Sequence, residues 1–134
     1  MKRNVNKNRK ENQLYLDGFE KHLKAKGLTN KVINKHIRNV DFYINEYLNY
    51  YEPYDYKTGL YSLDDFLGYW LNRKTTWANK TSIKENAASI KKFYAFMKES
   101  GLVDAKDYQL LCDEIKEMMP EWLDNIEDEE YCFY

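Results

Sequence analysis

Residues 82–101 read SIKENAASIKKFYAFMKESG, and this stretch decides the fold. Ile83, Ala87, Ile90, Tyr94 and Met97 recur at steps of 4, 3, 4 and 3, the spacing that places side chains on one face of an α-helix. Ser82 and Glu85 have capping-box spacing: the serine oxygen accepts a backbone N–H three residues on, and the glutamate reaches back. Gly101 comes next, where a left-handed residue closes a helix. The pattern predicts a helix from Ser82 to Ser100. A strand would need alternation of period two, and no segment shows that over a useful length.

Helical periodicity extends outward from this stretch. A first helix is predicted over Glu11–Lys26, with Leu16, Phe19 and Leu23 inward and Gly27 at its end. Thr29 or Asn30 caps a second, whose apolar face is Ile33, Ile37, Val40, Ile44, Leu48 and Tyr51. Tyr50–Tyr61 is a break, since Pro53 and Gly59 stop helices and the aromatics pin the loop to the body. Ser62-x-x-Asp65 opens a shorter helix that buries Leu63, Phe66, Leu67, Trp70 and Leu71. Residues 72–80 are polar and turn-like apart from Trp77. Asp104 caps a last helix whose face is Tyr108, Leu111, Ile115, Met118 or Met119, and Trp122. Pro120 lies inside that pattern and should end or kink the helix. The chain therefore reads as all-α, without internal repeat.

A length of 134 residues fits one domain, and 43% hydrophobic residues suffice for one core and exclude wholesale disorder. The expected division is a flexible basic arm over 1–10, a helical domain over 11–126, and an acidic, aromatic tail over 127–134. Met1–Lys10 has no apolar stretch and cannot be a secretory signal, and no run is apolar enough to span a membrane. Cys112 and Cys132 form no CxxC and read as two free thiols of a cytoplasmic protein. No Gly-rich phosphate loop, HExxH or zinc-spaced set is present, so no cofactor or metal is expected.

Charge is split along the chain. Residues 1–100 hold 19 Lys/Arg against 11 Asp/Glu, and residues 101–134 hold 2 against 11. A basic body of this kind points to an anionic partner such as nucleic acid. Lys31, Lys35 and Arg38 share one helical face, with Asn34 beside them. Lys84, Lys91 and Lys98 form a second row, with Lys80 and Thr81 near its start and Asn86 and Lys92 flanking it. Lys and Arg neutralise phosphates, Asn and Arg also read base edges, and a helix N-terminus adds backbone N–H groups. The candidate DNA-binding set is Lys31, Asn34, Lys35, Arg38, Lys80, Thr81, Lys84, Asn86 and Lys91.

Residues 14–27, LYLDGFEKHLKAKG, and the adjoining LTNKVINKHIRNVDFYINEYL resemble the opening of the core-binding domain of tyrosine recombinases, the phage-integrase family. TSIKENAASIKKFYAFMKESGLV resembles that domain's last helix, with Phe-Tyr-x-Phe near its end and a Gly turn after it. The resemblance covers roughly residues 11–103. It implies a small SAM-like orthogonal bundle of four to five helices, half of a clamp around double-stranded DNA. Its second and fourth helices would face the duplex, which coincides with the two cationic rows.

A tyrosine recombinase also needs a catalytic domain bearing an Arg, Lys and His-x-x-Arg cluster and a nucleophilic Tyr, because a pentavalent phosphate must be stabilised during attack. Here the only arginines are Arg3, Arg9, Arg38 and Arg73, and no His-x-x-Arg exists. Tyr131 and Tyr134 lie in acidic surroundings that repel phosphate. The expectation is a non-catalytic DNA-binding module for integration or recombination. The alternatives are a helical protein-interaction module that kept the fold without DNA binding, and a fragment of a longer catalytic recombinase. Met118, Met119, Trp122 and Leu123 of the acidic last helix are expected to pack against the body, the alternative being that they dock a catalytic recombinase or another protein. A further expectation is that it folds over the basic face and competes with DNA.

Overall fold

The periodic stretch around Ile90 forms α6, Lys80–Glu99. It starts two residues earlier than the Ser82 box predicts because Asn79 is the cap. Asn79 Oδ1 accepts from Ser82 N at 2.8 Å, and Ser82 Oγ accepts from Asn79 N at 2.8 Å. Ser82 thus supplies the returning half of the box. Gly101 closes the helix at φ 78°, which lets Leu102 N reach Met97 O at 2.9 Å. Ile83, Ala87, Ile90, Tyr94 and Met97 are all buried, joined by Phe93. The computed structural model describes residues 4–131, with side chains through residue 126, and among them every regular element is helical.

The first helix, α1, spans Val5–Ala25 and so takes in most of the predicted flexible arm. Asn4 Oδ1 caps it by accepting from Lys7 N at 2.8 Å. Two buried amides hold the extra turns. Asn8 Nδ2 donates to Asn49 Oδ1 and to Tyr54 O, both at 2.9 Å. Asn12 Nδ2 donates to Asn45 Oδ1 at 2.8 Å and to Ile44 O at 3.1 Å. An Asn-rich terminus reads as solvated because these partners lie 32 to 46 residues away.

Thr29 caps α2, Asn30–Asp41, through Val32 N at 3.3 Å. The helix continues as a π-helical segment over Phe42–Tyr47, where Leu48 N reaches back five residues to Tyr43 O at 3.0 Å. The wider turn changes the direction in which later side chains point. Tyr43 and Tyr47 join Ile44 and Leu48 in the core, whereas Tyr51, expected inside, is exposed. The break after it contains one helical turn, α3, Tyr56–Gly59. Gly59 ends that turn and is buried: a Cβ there would strike Tyr94 Oη and sit 3.1 Å from Leu48 Cδ1. As expected, aromatics pin this loop; Tyr94 Oη donates to Tyr56 O at 2.7 Å, and Tyr43 Oη donates to Gly59 O.

Next comes a continuous helical run: α4, Leu63–Asp65, a π-helical segment over Phe66–Trp70, and α5, Leu71–Lys74. Leu63, Phe66, Leu67, Trp70 and Leu71 are all buried, as predicted. Ser62 precedes α4, but its hydroxyl donates to Thr58 O at 2.8 Å instead of capping.

The last helix, α7, spans Ala105–Tyr131 and passes through Pro120. A proline inside a helix costs about 3 kcal/mol, and side chains beyond it offset that. Trp122 is buried and its Nε1 donates to Asp64 Oδ1 at 2.8 Å; Asn125 Nδ2 donates to Gly68 O at 3.1 Å. The helix backbone also continues through 127–131, within the expected tail; residues 132–134 lie outside the described part. α7 packs on α6, α4 and the second π-helical segment.

Asn12→Ala leaves Ile44 O buried without a donor and should cost about 1–3 kcal/mol, read from urea unfolding. Gly68→Ala puts a Cβ 2.9 Å from Trp122 Cδ1. It should destabilise by about 1–3 kcal/mol and raise tryptophan exposure to a fluorescence quencher, whereas an unchanged midpoint would show the notch to be loose.

Candidate nucleic-acid interface

The α2 candidates Lys31, Asn34, Lys35 and Arg38 are all exposed. They divide by neighbour. Asn34 and Arg38 line a cleft between α1 and α2 that also holds Asp17, Glu20 and Asp41. A phosphate entering there would meet three carboxylates. Lys35 points the other way: its Nζ lies 2.8 Å from Glu85 Oε2 on α6. Lys31 lies four residues before Lys35, one turn of the same helix away.

On α6, Thr81, Lys84 and Lys91 are exposed and Lys80 is partly buried. Asn86 is not available to DNA. It is 3% exposed, and its Nδ2 donates to Ser82 O at 2.8 Å. It sits three residues after Ile83 and four before Ile90, on the apolar side of the helix. The edge that meets α2 is Glu85, Ser89 and Lys92. Lys84, Lys91 and Lys98 are each one position off that edge, a rotation of about 100°. Their row turns toward α7, where Lys98 Nζ lies 4.6 Å from the Tyr108 ring centroid. The two predicted rows therefore do not share one flat face. Lys92, only a flanking residue in the pattern, is the α6 cation beside α2. Its signal in the sequence is the 85/89/92 spacing, legible only once α2 is known to lie on that side.

His36 occupies the seam between the helices. Its Nδ1 is 2.8 Å from Ser89 Oγ, and Asn39 Nδ2 donates to the same oxygen at 3.0 Å. Ser89 is buried. Burial lowers the His36 pKa below its ordinary value, and Lys92 and Lys35 lower it further. Burial is the larger cause, and the Ser89 hydroxyl bridges the two α2 side chains.

α7 packs away from α2 and leaves Lys31, Lys35 and Arg38 exposed. Its apolar side chains are spent inward: Trp122 is buried, and Met118, Met119 and Leu123 lie against the core. Its exposed side chains include Asp113, Glu117, Glu121 and Asp124 at steps of 4, 4 and 3, with Lys106, Leu110 and Lys116 also open to solvent. Cys112 is a partly buried free thiol, and Cys132 lies outside the described residues. Among the described residues no group of three His, Cys, Asp or Glu is placed to hold a metal ion, and no helix is long and apolar enough to cross a membrane. Compared with protein families, curated proteins and solved structures, the chain matches none.

The His36 shift has a pH consequence. Its folded pKa lies below the unfolded value of about 6.5, so the unfolded chain takes up the proton first. Stability is full above that value and declines as pH falls through it. The urea midpoint should fall between about pH 7.5 and 5.5, and His36→Asn should flatten the response; a wild-type midpoint constant over that range contradicts the assignment.

Proposed function

We propose that this chain is a non-catalytic DNA-binding module that grips double-stranded DNA at the seam of α2 and α6, in the setting of integration or site-specific recombination. The observation that carries the reading is the set of exposed lysines on the two facing helices, Lys31 and Lys35 on α2 and Lys92 on α6, beside the His36–Ser89 contact that joins them. Segregation of charge supports it, since the exposed carboxylates of α7 lie on a helix that does not pack on α2. The sequence resemblance to recombinase core-binding domains would put DNA on the same two helices. The set proposed to contact phosphate is Lys31, Lys35 and Lys92, with Lys84, Lys91 and Thr81 reaching backbone farther along α6. The Lys35–Glu85 pair spans the seam at 2.8 Å. No cofactor enters this reading, and a cytoplasmic setting goes with it.

A second reading draws on the acidic row of α7. Asp113, Glu117, Glu121 and Asp124 offer a basic protein surface, such as that of a catalytic recombinase, a place to dock while DNA occupies the opposite charge.

Fluorescence anisotropy with a short labelled duplex at several salt concentrations tests the DNA reading. Binding should weaken steeply with salt, and Lys31→Ala or Lys92→Ala should each lower the slope by about one unit. Glu85→Gln removes the carboxylate facing Lys35 and should tighten binding. Absence of binding at low salt overturns the reading and leaves the acidic row as the functional surface.

A further inference from the structure

Beside the seam lies a cleft of about 680 Å³, within the common size range of ligand sites of about 300–1,000 Å³. Its walls are aromatic. Phe42 comes from the π-helical end of α2, Trp70 from the second π-helical segment, and Tyr50 and Trp77 from the loops after those two segments. Phe42 lies 5.6 Å from Trp77 and 5.8 Å from Trp70, centroid to centroid, and Tyr50 lies 5.4 Å from Trp70. Trp77 and Tyr50 remain 49% and 45% exposed, a large aromatic surface left to water. Trp70 Nε1 is buried without an acceptor among the described residues. Both π-helical turns contribute a wall, and such turns concentrate at functional sites.

The rim is cationic. Arg9 is engaged by Glu46 at 3.3 Å, but Lys74 makes no ion pair among the described residues. Its Nζ sits 5.0 Å from the Tyr50 ring centroid. The cleft lies between the end of α2, at Phe42, and the loop that leads into α6, at Trp77.

We propose that this cleft takes one unpaired nucleotide of DNA, its base stacked on Trp77 and its phosphate on Lys74. A base inside a duplex keeps both faces in the stack, whereas an unpaired base is free to turn one onto an aromatic side chain. Lys74 at the rim favours an anionic nucleic acid over an apolar peptide. This inference rests on the DNA-binding reading and adds a preference for duplex that ends in, or is interrupted by, a single strand.

The test compares a blunt duplex with the same duplex bearing a short unpaired overhang, using the intact chain and both anisotropy and tryptophan fluorescence. Stacking of one base is worth about 1–3 kcal/mol, so the overhang should bind roughly 5- to 150-fold more tightly and quench tryptophan emission. Trp77→Ala should abolish the difference while leaving the affinity for blunt duplex unchanged, with circular dichroism confirming the fold. Lys74→Ala should reduce the difference. Equal affinity for the two DNAs, or a difference that survives Trp77→Ala, overturns the inference and leaves duplex binding at the seam standing. Failure to bind either DNA overturns both.

Discussion

The carbonyl of Ile44 sets the terms for the rest of this bundle. Leu48 N bonds five residues back to Tyr43 O, so Ile44 O is left without its usual helical partner. A buried carbonyl without a donor is costly, and Asn12 of α1 supplies one. The same turn exposes Asn45 O, which accepts from Asn49 and Arg9. The widened turn and the amide row of α1 are therefore mutually dependent. Without the row, the turn would hold an unpaired carbonyl. Without the turn, Asn8 and Asn12 would be polar groups buried for nothing. That dependence extends α1 to Val5 and rotates Tyr43 and Tyr47 into the core.

The π-helical turns also gather the aromatic side chains. Tyr43, Tyr47, Phe66 and Trp70 form one cluster with ring centroids 4.8 to 5.9 Å apart. Two of these rings come from each π-helical segment. The cluster closes the core on one side, while Phe42 and Trp70 also form walls of the open cleft. Core and candidate site thus share side chains, and the geometry of the cleft results from packing that the fold already requires.

Electrostatics divides the molecule between its helices. α7 reaches its place through Trp122, which sits over Gly68 and donates to Asp64. Burial, and then Asp64, raise the pKa of Glu114 on the same helix, so docking α7 also gathers carboxylates. The cations of α2 are left open to solvent. The acidic helix is thereby part of the core and not a detachable cover: Leu111, Trp122 and Ile126 are buried with it. A chain cut after Val103 would lose those side chains, so truncation would perturb folding before it reported on DNA.

The sequence by itself determined the helical class and most of the inward faces. Apolar spacing near 3.6 residues is a local property, and Gly27 and Gly101 take up left-handed φ values of 82° and 78° where the caps were expected. Exposure of the α2 lysines was legible for the same reason, since they lie opposite the apolar stripe. Tertiary structure alone decided what depends on distant partners. The buried Asn8 and Asn12, the turned-out Tyr51, the passage of α7 through Pro120 and the role of Asn79 all required groups that spacing along the chain does not reveal. Asn86 lies at apolar spacing between Ile83 and Ile90, which the sequence already shows, whereas Lys92 takes its place beside α2 only through the packing of α2 on α6. Amides and lysines carry no periodic signature of their own; the neighbour that satisfies or faces them fixes what they do.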